Sequence, residues 1–596
     1  MACTLIVGDV KLFTALQLPK FSTVADQPSH MGLSDQLQFI SSLAVGFVAV
    51  TAAGAAITFY GLEQVPGDKG PPLVWLVLQT GVSIFIGAMG ALHLLTSYFA
   101  SEYTAATRTN RFKLDAYFPT KATEAQKATV AFLHRLNCGG VFRECPPASS
   151  PAAVHALSEA PSPYVSGLRV TGRMPMFETK PTGAEPFTPP KEGALVVGTI
   201  RMGFGHHRIA YAASSWGLAS AKATYFHDLL NITSAEATII KEMDQLYSKG
   251  SRLATEMGGI VEASWGAATA KSGDENSLRV FYQMAEALKP LLAAVPKDTP
   301  IIATHCLVGL LAVACGFTKV VNLVIDNHAQ WFIVVPGALN LVQGPTNYHR
   351  LLRMGVKPEQ LKLAGAWAPR DLVVNIEADC AARIKRATAK KPVRLLVPVG
   401  GAGAQRTFVT NFVKAQKPLL DAGKVQLLLN AGDHEHMRDA FVAALEAIGY
   451  GAKYATVSNK KELDALVESL RGGAEPSMAV TLCYYHNDYF PAVATTDILS
   501  RVADVLACKP SELAFYPCPK LMIRRVGDHE AYSALRASEL GDGTLEVREI
   551  ADAMAYVNLF VDGPDLLTMM NEMVVKNKAA GLYDGCKMAV EEAMKM

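Results

Sequence analysis

Apolar residues are distributed in two ways along this chain. Leu37 to Leu62 and Pro71 to Ala100 contain no Asp, Glu, Lys or Arg, and each is long enough to cross a ~30 Å hydrocarbon core as a helix. The short turn from Glu63 to Gly70 between them predicts an antiparallel transmembrane hairpin over residues 36–101. Gly46, Gly54, Gly87 and Gly90 would let its two helices approach closely in lipid. Arg108, Arg111 and Lys113 follow the second stretch, whereas the turn sets Lys69 against Glu63 and Asp68. The positive-inside bias therefore places both termini and the globular part on the cytosolic, stromal or matrix side. The competing reading is a pair of buried core helices.

Beyond residue 194 the apolar runs shorten and alternate with amphipathic segments. Strands are predicted at Ala194–Ile200, Ala223–Phe226, Pro300–Ala303 and Val320–Ile325. A second set covers Val393–Val399, Val425–Asn430, Met478–Leu482, Val502–Ala507 and Lys520–Ile523. Helical periodicity between them, and over Pro564–Ala579 and Asp584–Met594, predicts parallel sheets with helices on both faces. The fold class is thus α/β, with two doubly wound, Rossmann-like lobes at 194–370 and 371–596 after the helical hairpin. Residues 1–35 read as an irregular leader. Residues 102–193 read as a helix at Thr123–Leu136 followed by a Pro-rich connector, with one possible strand at Tyr164–Arg173.

Composition narrows the function. Charged residues are only 18% of the chain, and the net charge of +2 offers no field for nucleic acid. The ten cysteines show neither C-x-x-C pairing nor His partners at metal spacing, which argues for free thiols and against a metal site. No Arg precedes Arg108, which argues against an Arg-rich transit peptide.

Three places could carry chemistry. The first is Gly203-Phe-Gly-His-His-Arg208, a glycine turn between a predicted strand and helix. A dinucleotide fingerprint needs a third glycine where Arg208 stands, although Asp228 lies at a plausible distance. His206 and His207 at the helix start could instead meet an acceptor hydroxyl, since a neutral imidazole can take its proton. Equally, His206 could merely cap the helix. The second is His305 after one strand, and Asp326 and His328 after another, at the carboxyl edge where open α/β sheets bind ligands. A strand-end hydrogen-bond network would explain them as well. The third is Gly400-Gly401-Ala-Gly403, with backbone N–H groups and a following helix suited to a diphosphate without a metal.

Taken in order, these segments resemble the GT-B glycosyltransferases of membrane lipids, namely the monogalactosyldiacylglycerol synthases and the lipid-II-forming GlcNAc transferases. Gly203-Phe-Gly-His206 is similar to their first glycine loop, and Asp326-Asn-His-Ala-Gln-Trp-Phe332 to an Asp…His-Pro-x-Trp-Phe block. The stretch from Gly355 to Gly365 resembles their domain crossover, and Gly400 to Gln405 the loop opening the donor domain. Ala503 to Pro510 is similar to the A-D…K-P lead-in to the nucleotide-sugar loop, and His529-Glu530 to a Gln-Glu segment that contacts sugar hydroxyls.

The resemblance implies catalytic roles for His206, Asp326 and His328, and an acceptor-side loop made of Gly203, Gly205, His207, Arg208 and His305. It implies donor contacts from Gly400, Gly401, Gly403, Gln405, Lys509, Ser511, Glu512, His529 and Glu530. No cofactor is implied; a UDP-sugar would be the donor substrate, and a lipid or membrane-proximal molecule the acceptor. One segment departs from the pattern. Where the family has Gly-Gly-x-(Thr/Ser)-x-x-Glu-Ala, this chain continues Lys509-Pro-Ser511-Glu512-Leu-Ala-Phe515-Tyr516-Pro517-Cys-Pro519, and prolines do not suit a helix interior. Donor binding is therefore expected to be altered or lost. The alternatives are a catalytically inactive accessory subunit of an organellar membrane complex, docked through residues 1–101, and a sugar-nucleotide 2-epimerase of the same fold.

Overall fold

In the computed structural model, residues 154–172, 184–257, 265, 278, 281–282, 284–285, 288–400 and 405–596 are described, and they form two sheets. The hairpin expected at 36–101, the leader at 1–35 and the helix expected at Thr123–Leu136 lie outside the described residues. Among those described, no helix is long and apolar enough to cross a membrane.

The first lobe is built around β4 (Ala194–Thr199), whose six residues are all buried, as expected for a strand covered on both faces. The Pro-rich segment before it contributes three more strands, β1 (Ser158–Pro161), β2 (Leu168–Gly172) and β3 (Glu185–Pro186). After β4 come β5 (Ala223–Asp228), β6 (Ile301–Ala303), β7 (Val320–Leu323), β8 (Leu339–Val342) and β9 (Leu361–Leu363). The order is β3-β1-β2-β5-β4-β6-β7-β8-β9. Pairing is parallel from β2 to β9, and β1 runs antiparallel to both its neighbours. The connector is therefore the edge of this sheet.

The second lobe carries β10 (Val393–Pro398), β11 (Val425–Asn430), β12 (Ala455–Val457), β13 (Val480–Cys483), β14 (Val505–Cys508) and β15 (Lys520–Met522). All pairs are parallel, in the order β12-β13-β11-β10-β14-β15. Each sheet reverses its winding once, between β4 and β6 in the first and between β10 and β14 in the second. At such a switch point the loops diverge and leave a crevice outside the strand ends.

The final helix, Gly585–Lys595, returns to the first lobe. Its entry is fixed by Ala366 N donating to Leu582 O at 2.8 Å and Gly585 N to Ala366 O at 3.1 Å, and its outer face by Lys362 Nζ at 3.1 Å from Glu592 Oε1. One hydrophobic core spans both lobes, joining Trp216 and Trp367 to Tyr489, Phe515 and Tyr516. The carboxyl edges of the two sheets face each other. Phe204, just past β4, packs on Gly432, just past β11, where a Cβ would lie 2.9 Å from the Phe204 ring. The architecture is GT-B-like: two Rossmann-like lobes around one cleft.

Candidate functional site

On the first lobe the loop after β4 is shaped by Gly203, whose φ of 68° lies in the left-handed region open to glycine. The helix Gly205–Ser220 starts directly behind it. That geometry brings His206 to the β4/β6 switch point, where its Nδ1 lies 2.7 Å from the Thr304 carbonyl. A carbonyl only accepts, so Nδ1 carries the proton and Nε2 is the basic nitrogen. The His305 ring sits 4.4 Å from that of His206. His305 caps the helix Cys306–Ala314, its Nδ1 accepting from Leu307 N at 3.1 Å. Burial, and secondarily the neighbouring His206, hold the His305 imidazole well below its usual pKa, so it stays neutral.

Asp326 and His328 follow β7. The Asp326 main-chain carbonyl accepts from Asn347 Nδ2 at 2.8 Å. Burial, with Asp326 as a lesser contributor, pushes the Cys306 thiol up to about 12, so this cysteine is no nucleophile. The ring of His328 stacks on Tyr532 of the second lobe at 4.6 Å and 18°. His206, His305 and Asp326 thus share one sheet edge, whereas His328 is engaged across the cleft.

His207 and Arg208 take other positions. His207 is buried, its Nε2 3.0 Å from Asp228 Oδ2, and Asp228 Oδ1 accepts from Arg201 N at 3.3 Å. This pair braces the base of the glycine loop. Arg208, 2% exposed, crosses into the second lobe, with Nε 3.2 Å from Val493 O and Nη2 3.3 Å from Thr496 Oγ1. Arg201 lies over the Tyr489 ring at 3.4 Å and approaches Asp433 at 3.7 Å. Tyr489 OH donates to Gly203 O at 3.2 Å. Sequence reasoning missed Arg201, Phe204, Asp433 and Tyr489, because nothing local to each residue announces a partner in another lobe.

On the second lobe, Lys509 leaves the end of β14 and lies across Gly400 at the end of β10. A Cβ at Gly400 would come within 2.9 Å of Lys509 Cε. Lys509 Nζ pairs with Glu530, whose Oε2 accepts from Val526 N at 2.8 Å. Gln405 adopts a left-handed φ of 68° just before the helix Arg406–Ala415 and donates its amide to the Arg524 carbonyl. Gly401 and Gly403 lie outside the described residues, as does the Glu512 side chain. Ser511 Oγ and His529 Nδ1 are buried and make no hydrogen bond among the described residues. Lys509, Glu530 and Gly400 therefore meet at the β10/β14 switch point, while Gln405 reaches Arg524 beyond β15.

The segment after Lys509 forms a single 3-10 turn, Glu512–Phe515, in place of a glycine turn and helix. Leu513, Ala514, Phe515 and Tyr516 are all buried, in the core shared with the first lobe. Lys520 anchors this segment from below. Its Nζ donates to the carbonyls of Tyr516 at 2.7 Å and Cys518 at 3.1 Å, and pairs with Asp542 at 2.8 Å, both side chains being fully buried.

Residues 173–352 match a family model described as a domain of unknown function, DUF6937, and residues 356–594 match a second, DUF6938. No curated protein matches the chain. Among solved structures, the chain is similar to the UDP-GlcNAc 2-epimerase from Neisseria meningitidis bound to UDP-GlcNAc, with 11% identity, a TM-score of 0.39, and coverage of 68% of this chain and 99% of that one. It is also similar to the α,α-trehalose 6-phosphate synthase from Burkholderia multivorans, with 13% identity, a TM-score of 0.37, and coverage of 68% and 96%. A third similarity is to the UDP-GlcNAc 2-epimerase from Methanocaldococcus jannaschii, with 9% identity, a TM-score of 0.33, and coverage of 65% and 99%.

Proposed function

We propose that this chain binds a nucleotide sugar between its lobes and transfers the sugar to a hydroxyl acceptor. The observation that carries the reading is the confrontation of two switch points. His206 stands beside His305 on one edge, and Lys509 lies over Gly400 on the edge that faces it. The diphosphate would lie at the start of the helix Arg406–Ala415, where the N–H groups of the first turn, the helix dipole and Lys509 favour negative charge. Glu530, held by Lys509, would accept from ribose or sugar hydroxyls.

His206 Nε2 would then take the proton of the acceptor hydroxyl while that oxygen attacks the anomeric carbon. The bond from this carbon to the phosphate oxygen breaks, and the nucleoside diphosphate leaves with the electron pair, stabilised by the same cationic cradle. A lipid acceptor and a membrane tether are part of this proposal. They rest on the uncharged stretches 37–62 and 71–100.

Thermal unfolding of the full chain with UDP, UDP-glucose, UDP-galactose and UDP-GlcNAc tests the reading. At millimolar ligand, mass action predicts a rise of several degrees with at least one of them. One observation favours a second reading, a non-catalytic accessory subunit. Phe515 and Tyr516, 4% and 2% exposed, fill with apolar packing the segment expected to cradle a donor. No stabilisation by any of the four ligands would select that reading.

A further inference from the structure

Between the Asp326–His328 loop of the first lobe and the helix Ala531–Glu539 of the second lies a crevice lined by Asn327, Gly344, Asn347, Tyr532, Arg536 and Glu539. Its walls are fixed by contacts across the lobes. Asn327 Nδ2 lies 3.4 Å from Ser533 Oγ, and Arg536 Nη2 is 3.4 Å from the Gln343 carbonyl. The Tyr532 ring is held between His328 at 4.6 Å and the Arg350 guanidinium at 4.5 Å. The free space is about 10 Å3, room for a single oxygen-sized group.

Two features of this space ask for a ligand. The helix Pro345–Arg353 points its amino end there with no side-chain cap, and Pro345 removes one N–H. Asn347, 1% exposed, also lines the crevice. Its Nδ2 is used by the Asp326 carbonyl, while its Oδ1 is buried and makes no hydrogen bond among the described residues. A buried acceptor left unmatched is costly, so an O–H or N–H donor entering the crevice is favoured. Arg536 supplies the complementary N–H groups; its Nη1 is 3.2 Å from Glu539 Oε2. A group that donates to Asn347 and accepts from Arg536 is an O–H: a bound water does both, and a sugar hydroxyl that displaces the water reproduces both bonds. A phosphate oxygen at neutral pH meets only the second demand.

We infer that this crevice is a hydroxyl-reading subsite of the cleft. One sugar hydroxyl donates to Asn347 Oδ1 and accepts from Arg536, so these two residues set which sugar is taken. The inference rests on the nucleotide-sugar reading above. Gly344 is part of the device, because a Cβ there would lie 2.9 Å from Arg536 Nε and displace the guanidinium.

The test is calorimetric titration of the full chain with UDP, with UDP-glucose, UDP-galactose and UDP-GlcNAc, and with the 2-, 3-, 4- and 6-deoxy analogues of the sugar that binds. Asn347→Leu and Gly344→Ala are compared with the natural protein. Gly344→Ala moves only the far end of a flexible side chain, and keeps the test open if Asn347→Leu fails to fold. One deoxy analogue is expected to bind the natural protein about tenfold or more weakly. Both variants should lose that discrimination while binding UDP unchanged. If UDP-sugars bind but every deoxy analogue matches its parent, the subsite is overturned and the nucleotide-sugar reading stands. If UDP and all UDP-sugars fail to bind, that reading fails. Saturation-transfer NMR with free glucose, galactose and GlcNAc then decides the subsite: a signal lost in both variants keeps it, and no signal overturns it.

Discussion

Arg208 and Thr496 belong to different lobes, yet the guanidinium Nη2 of one lies 3.3 Å from the hydroxyl of the other, and Thr496 in turn receives Asn430 Nδ2 at 3.0 Å. A buried cation so placed ties the helix that begins at the first switch point to the helix Tyr489–Ser500 of the second lobe. Its removal leaves the Val493 carbonyl without the donor that Arg208 provides. Arg208→Met is therefore expected to cost about 3 kcal/mol in urea unfolding of the full chain. A loss below 0.5 kcal/mol would show that the lobes do not depend on this contact.

Gly400 and Lys509 make a second such pair. In Gly400→Ala the new methyl displaces only the distal part of the lysine, so stability should change by less than about 1 kcal/mol. The thermal shift produced by UDP should shrink in the same variant. An undiminished shift would remove Lys509 and Gly400 from the anion cradle.

His206→Gln keeps a group able to donate to the Thr304 carbonyl but abolishes the basic nitrogen. If the chain is a transferase, kcat should fall about 10²–10⁴-fold with the KM for donor unchanged. Equal kcat values for the variant and the natural protein would transfer the base role elsewhere, with Asp326 next in position.

Acid should destabilise the first lobe through His227. This side chain is 1% exposed, between Thr171 Oγ1 at 2.7 Å and the Leu291 carbonyl at 3.3 Å, and burial lowers its pKa to about 4. The unfolded chain, titrating near 6.5, binds the extra proton first as pH falls. Its contribution is therefore complete above about pH 6.5 and declines towards pH 4, by at most about 3 kcal/mol. His305, lowered well below its usual value, acts in the same direction. Denaturant unfolding between pH 7 and 4.5 should show a shallower slope in His227→Gln than in the natural protein.

Phe515, 4% exposed, belongs to the core that joins the two lobes. Phe515→Ala should cost about 3–5 kcal/mol, as for other large-to-small core changes. A cost under 1 kcal/mol would mean that the segment is not a packing element and that a donor could displace it.

The alternation of apolar runs identified most of the parallel strands. Val425–Asn430 agrees residue for residue with β11, and Val393–Val399 overshoots β10 by one position. Three strands of three or four residues escaped, β8, β9 and β12. The possible strand at Tyr164–Arg173 contains β2, whereas the Pro-rich segment concealed β1 and β3, because an edge strand tolerates proline where a central one does not. Within the candidate site, the glycine turn at Gly203 and the residues next to strand ends were legible. Lys509 meeting Glu530, or Tyr489 meeting Gly203, joins positions that share no local pattern.

From sequence alone came the two α/β sets, the glycine bends that open them and the failure of a dinucleotide fingerprint at Arg208, since all three are set by neighbouring residues. Tertiary structure decided where each histidine of the adjacent pair points. His206 turns to the Thr304 carbonyl at the sheet edge, while His207 turns inward to Asp228. Successive helical side chains point about 100° apart, so identical residues side by side meet different surroundings. Only the packing of the second lobe against that helix shows which one faces the cleft.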